Sequence, residues 1–155
     1  MSFAIAPYEE KNFAGVKALW ENVFPDDPPR DYAGISIAAK ASEHPELFLL
    51  ALEGERVIGS VMAGYDGHRG WLYRVAVSKS HRHQGVGAAL IHEAEKRLWS
   101  LGCVKINLQV RGTNQAVTAF YQSLGYAVED RISMGKLAPK HGQARANQSA
   151  RSGPA

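Results

Sequence analysis

The chain of 155 residues has one cysteine, Cys103. A single thiol excludes an internal disulfide and a cysteine-based zinc site, and the expected compartment is a reducing, cytoplasmic one. Long hydrophobic runs are also missing. The longest unbroken apolar stretch, residues 47–52, falls far short of the ~18 residues a membrane span requires, so no membrane partner is expected. No basic segment precedes an apolar one at the N-terminus, so no secretory signal is expected either. Nor does the body carry an excess of either charge. The calculated pI is about 9.1, yet residues 1–137 hold fifteen Lys/Arg and fifteen Asp/Glu. The net +3 comes from Lys140, Arg145 and Arg151. A nucleic-acid reader carries its basic excess on the folded body, so nucleic acid is not an expected partner. Residues 138–155 lack Leu, Ile, Val, Phe, Tyr and Trp. Such a segment cannot offset the entropy of ordering itself, and a disordered basic tail is expected there. Residues 1–137 remain as one domain, large enough to bury a core.

What is present divides into clear elements. Residues 4–8 suit a short strand. Phe13, Val16, Leu19, Trp20, Val23 and Phe24 follow helical spacing and give one core-facing stripe. Pro25 to Pro29 stop that helix, Asp27 is a candidate cap for the next, and a second helix is expected over about 30–42. Strands are expected at 47–52 and 56–65, with Asp66-Gly67 as a hairpin signal returning the chain along 71–77. A helix over 86–101 ends at Gly102 in the favoured C′ role. Residues 103–110 alternate, with Val104, Ile106, Leu108 and Val110 on one face. Asn114 caps a last helix running through Ser123, and residues 126–128 and 133–137 are expected to close the fold as strands. The pattern is α+β (mixed α/β): a mostly antiparallel sheet flanked by about four helices.

The chemistry sits between the strand at 71–77 and the helix after it, in Arg82-His83-Gln84-Gly85-Val86-Gly87. A glycine-rich turn there exposes N–H groups at the positive end of a helix dipole, which suits phosphate oxygens. Gly85 and Gly87 let an anion approach the main chain, and Arg82 adds a charge-assisted contact. A Walker A loop would end in Gly-Lys-Ser/Thr, but Gly87 is followed by Ala88 and Ala89. A dinucleotide fingerprint needs a third glycine where Leu90 stands and an acid about 20 residues on, and residues 103–110 contain none. The run resembles instead the Arg-x-x-Gly-x-Gly segment with which a known family holds the pyrophosphate arm of coenzyme A.

On those residues the chain resembles the Gcn5-related N-acetyltransferase (GNAT) superfamily. Val75-Ala76-Val77 matches the family's central strand, which splays at a bulge and pairs with the pantetheine arm. Asn114 matches an asparagine that contacts the cofactor. Phe120 to Tyr126 match the Tyr-x-x-x-Gly-Phe/Tyr segment. The likeness spans about residues 3–137, and the hairpin Gly64 to Gly70 is similar to a bacterial subgroup labelled YpeA-like. The resemblance implies acetyl-CoA as co-substrate, bound by Val75, Ala76, Val77, Arg82, His83, Gln84, Gly85, Val86, Gly87, Asn114 and Tyr121. It implies that the Val75 N–H polarises the thioester carbonyl and that Tyr121 protonates the departing thiolate. Presenting a neutral alkylamine at pH 7 costs about 4 to 5 kcal/mol unless a base helps. Relatives place a glutamate for this where Gln109 stands, and an amide cannot accept that proton. Tyr73 through a water chain, His68, Asp66 and Glu129 are the replacement candidates. Asp26, Asp27 and Asp31, with Tyr65 and Trp71, are candidates for the acceptor pocket. His81 and His83 flank the turn with no third ligand, so no metal is expected. No exposed nucleophile is evident, which favours direct attack by a primary amine of a small molecule or peptide in a ternary complex. Gln109 leaves an alternative, an acyl-CoA-binding regulatory domain with weak or no catalysis. The resemblance admits a homodimer.

Overall fold

The computed structural model describes residues 2–139, so all but Ala138 and Pro139 of the tail expected at 138–155 lies outside the described residues. The described residues divide into two compact units, one up to Thr118 and one from Ala119 onward.

The first unit is built on a five-stranded sheet in the order β1 (Ala4–Pro7), β2 (Phe48–Glu53), β3 (Arg56–Tyr65), β4 (Gly70–Val77) and β5 (Ile106–Asn107). The first three pairings are antiparallel and β4–β5 is parallel. Strand β2 is buried from Phe48 to Ala51 because both of its faces are covered, which explains its unbroken apolar run. Helix α1 (Phe13–Val23) presents Val16, Leu19 and Trp20 to a core shared with Phe48, Leu50, Val57, Met62 and Ala76. Helix α2 (Ala33–Lys40) adds Ala33 and Ile37 to the same cluster. Helix α3 (Val86–Ser100) buries Val86, Leu90, Ile91, Ala94 and Leu98. Gly59 makes its close approach possible: a Cβ there would lie 2.9 Å from Leu90 Cδ1 and 3.1 Å from Val86 Cγ1. Helix α4 (Gln115–Ser123) begins with the Asn114 cap, whose Oδ1 accepts from the Val117 N–H at 3.2 Å.

Four expectations need correction. The helix expected over 30–42 is a 3-10 turn at Pro29–Asp31 followed by α2, with Tyr32 extended between them. The Asp31 carbonyl accepts from the Arg74 guanidinium at 3.1 Å instead of continuing a helix. Asp27 caps nothing, since Pro28 holds the cap position of that turn without a side-chain bond. The strand expected over 103–110 shrinks to β5. Val104 is 80% exposed while Cys103 is buried, because Cys103 and Ile106 pack where Gly70 leaves space. Residues 126–128 and 133–137 are described without strand, and Val128, Ile132 and Met134 are exposed.

Candidate functional site

The turn at 82–87 is reached from β4 through a 3-10 segment, Lys79–His81. Two left-handed residues shape it, His83 with φ +61° and Gly85 with φ +82°. A Cβ on Gly85 would meet no protein atom within 4 Å, so within the fold itself this glycine answers to its positive φ. Arg82, His83, Gln84 and Gly85 are exposed, whereas the Val86 side chain is buried in the core. Val86 therefore offers only its main-chain N–H. The Ala89 N–H donates to the Gly85 carbonyl at 3.0 Å, so the Val86, Gly87 and Ala88 N–H groups precede the ladder of α3. That is an anion-receptive terminus. His81 does not face it. Its ring is buried, with Nδ1 3.0 Å from Ser80 Oγ and Nε2 3.3 Å from Glu53 Oε1, and it ties the turn to β2.

One edge of β4 parts from its neighbour as the chain approaches this turn. Strand β5 pairs with β4 only at Gly70–Ile106 and Trp71–Asn107. On the other edge the β3–β4 register runs Ser60–Ala76 and then Met62–Tyr73, so Arg74 and Val75 together face Val61. This is a β-bulge, and a bulge leaves backbone out of the ladder. Val75 and Val77 are half-buried and Ala76 is buried. Gln109, three residues after Ile106, is exposed, and Asn114 is exposed at the head of α4.

Arg74 is the residue sequence reasoning missed. It has φ +52° at the bulge. Its guanidinium donates through Nη1 to Asp27 Oδ1 at 3.2 Å and through Nη2 to Asp27 Oδ2, with both side chains about 15% exposed. The group lies 4.5 Å from the Trp20 ring and 4.3 Å from the Phe24 ring. The Arg74 carbonyl accepts from Ser60 Oγ at 2.8 Å, and that oxygen accepts from Trp20 Nε1 at 2.9 Å. A signal existed: an arginine inside the apolar run 71–77 has to find partners if it is buried.

The hairpin candidates are largely committed to the turn itself. Asp66 Oδ1 accepts from the Arg69 N–H at 2.7 Å and the His68 N–H at 2.8 Å, and these bonds hold its carboxyl below the ordinary range. A weakened base is a poor proton acceptor. Tyr65 Oη reaches the Gly67 carbonyl at 3.3 Å, and His68 is exposed. Tyr73 is half-exposed and stacked on Trp71 with ring centroids 6.2 Å apart. Burial raises its phenol above the ordinary range, with the Asp66 charge adding to this, so it stays protonated at neutral pH.

In the second unit Tyr121 is 8% exposed and meets Phe120 and Tyr126 edge-on, at 5.1 and 5.8 Å. Burial pushes its phenol up to about 12. Gly125 (φ +96°) ends α4 and lets the Tyr126 N–H reach the Tyr121 carbonyl at 3.1 Å.

A family model described as "Acetyltransferase (GNAT) family" matches residues 12–126. The chain belongs to the GNAT acetyltransferase family. An acetyltransferase of Yersinia pestis (strain Pestoides F) is 40% identical over 129 residues, which is 83% of this chain and 91% of that one. Among solved structures, AAC(6')-Iy in complex with the bisubstrate analogue CoA-S-monomethyl-acetylneamine matches at TM-score 0.72 and 17% identity, covering 89% of this chain and 99% of that one. The NatC complex bound to Gag peptide and CoA matches at TM-score 0.72 and 22% identity, covering 85% and 89%. These structural likenesses establish the GNAT fold, with its mixed α/β sheet. Among the described residues no helix is long and apolar enough to cross a membrane, and no group of three metal-binding side chains occurs.

Proposed function

We propose that this GNAT protein transfers acetyl from acetyl-CoA to a primary amine by direct attack within a ternary complex. The observation that carries the reading is the sheet's divergence beyond Trp71, with an anion-receptive turn at the end of the same strand. The Val86, Gly87 and Ala88 N–H groups and Arg82 hold the pyrophosphate, and acetyl-CoA itself brings the activated acyl group. The Val75 N–H takes up charge on the carbonyl oxygen as the amine adds. The C–N bond forms, the C–S bond breaks, the amine gives up a proton and the sulfur gains one.

Tyr121 serves the sulfur. Its phenol, held at about 12, is protonated throughout the neutral range. That value lies well above the ~8.5 of an ordinary thiol, so it acts first as a hydrogen-bond donor to the developing thiolate. With Gln109 in place of an acid, amine deprotonation falls to solvent or to the exposed His68. The same glutamine favours a second reading, an acyl-CoA sensor that turns over slowly.

The test is release of CoA thiol from acetyl-CoA across a panel of small amines and peptide N-termini. Turnover on at least one class, lowered at least tenfold by Tyr121→Phe with CoA affinity kept, supports the enzyme. Tight CoA binding with no turnover on any amine supports the sensor.

A further inference from the structure

We infer that Arg74 and Ser60 form a positioning device that aims the Val75 N–H into the gap beside β4, with Asp27 serving as its anchor and not as an acceptor ligand. The inference rests on the role proposed above for Val75. The Arg74 carbonyl and the Val75 N–H belong to one planar trans peptide, in which the two bonds point in opposite directions. Ser60 Oγ, on β3, holds that carbonyl at 2.8 Å. The Val75 N–H is therefore turned away from Ser60, toward the edge of β4 that β5 leaves unpaired beyond Trp71. The Trp20 indole N–H, at 2.9 Å from Ser60 Oγ, orients the hydroxyl by occupying its lone pair, so that its hydrogen goes to the carbonyl.

The side chain secures the same peptide from its other end. A bulge commonly puts glycine at a left-handed position, because a Cβ is crowded there. Arg74 sits at φ +52° without that freedom, so contacts must hold it. The Asp27 carboxylate, the Asp31 carbonyl and the rings of Trp20 and Phe24 supply them. Because Asp27 and Asp31 lie in the α1–α2 connection, one guanidinium fixes both that connection and the bulge. The carboxylate that looked like an amine attractant is already paired.

Three variants test this: Ser60→Ala, Arg74→Met and Arg74→Lys. Each is compared with the parent by backbone amide NMR without ligand, by titration with CoA, and by turnover of acetyl-CoA on an accepted amine. In Ser60→Ala and Arg74→Met the Val75 amide resonance should move while those of residues 85–87 stay. CoA affinity should remain near the parent value, and turnover should fall about 100-fold, as expected when a group is misplaced by about 1 Å. Arg74→Lys, which keeps the charge but loses the fork, should recover part of both signals. A Val75 resonance that superimposes on the parent's in both Ser60→Ala and Arg74→Met overturns the inference, as does parent-like turnover in both. If Ser60→Ala or Arg74→Met fails to fold, Arg74→Lys decides by the same amide shift. A parent protein that binds neither CoA nor acetyl-CoA refutes the proposed function, and the ligand-free amide shifts still decide the geometry.

Discussion

Replacing Asp27 by alanine breaks the most buried of the Lys/Arg–carboxylate pairs among the described residues. The side chains of Arg74 and Asp27 are 14% and 15% exposed, so water replaces little of what the guanidinium loses. Breaking a fully buried pair from one side costs about 3 to 5 kcal/mol. Here the cation keeps the Asp31 carbonyl and two ring faces, which offsets part of that penalty. The expected loss is about 2 to 3 kcal/mol. In thermal unfolding this corresponds to a fall in Tm of about 5 to 10 °C for a chain of this size. Urea titration gives the free energy directly, and the double variant Asp27→Ala/Arg74→Met supplies the control. Once the cation is gone the missing carboxylate matters little, so the double variant should fall short of the summed single losses by at least about 1 kcal/mol. A single-variant loss under about 0.5 kcal/mol, or strict additivity, refutes the view of Asp27 as a buried anchor.

Other perturbations address separate parts of the account. Burial raises the Tyr121 phenol from 10.0 to about 12, so the unfolded chain ionises first as pH rises. The stability due to keeping it neutral is complete below pH 10 and is lost between about 10 and 12. Tyr121→Phe should flatten that loss, of about 2 to 3 kcal/mol, in urea titrations run across this range. Gly85→Ala places a Cβ at φ +82° and should cost about 1 to 2 kcal/mol, with weaker CoA binding by calorimetry. Gly70→Ala sets a Cβ 2.8 Å from Cys103 Sγ and 3.2 Å from Leu98 Cδ1, and should lower stability by about 1 to 3 kcal/mol on thermal melting. Gln109→Glu restores a proton acceptor and should raise turnover on alkylamines near neutral pH, read as a new ascending limb in the pH–rate profile.

Features decided by a residue's own chemistry or short spacing were legible in the chain. The stripe on α1, the span of β3, the glycine ending α3 and the Asn114 cap all follow from local rules. The turn at 82–87 also announced itself, because left-handed glycine at a helix start is a local demand. Features set by register between distant segments were not legible. The bulge depends on how β3 meets β4, forty residues of chain having returned Ser60 beneath Trp20. Arg74 looked like one more strand residue until Asp27, 47 positions earlier, was seen against it. The same reason shortened the second helix, whose Asp31 carbonyl answers to Arg74. Alternation at 103–110 misled because a parting strand buries only what its short pairing reaches. Asp27 and Asp66 were read as groups facing a ligand, and His81 as a residue flanking the turn. Each proved to have partners within the fold, which a list of residue types does not reveal.

The most direct measurement is a calorimetric titration of the folded 155-residue chain with CoA and with acetyl-CoA. Both should bind saturably, one per chain, more weakly as salt screens the pyrophosphate contacts, and should displace the amide resonances of residues 85–88. A verified native protein that gives no heat with either ligand, and no change in those resonances, contradicts the proposed function.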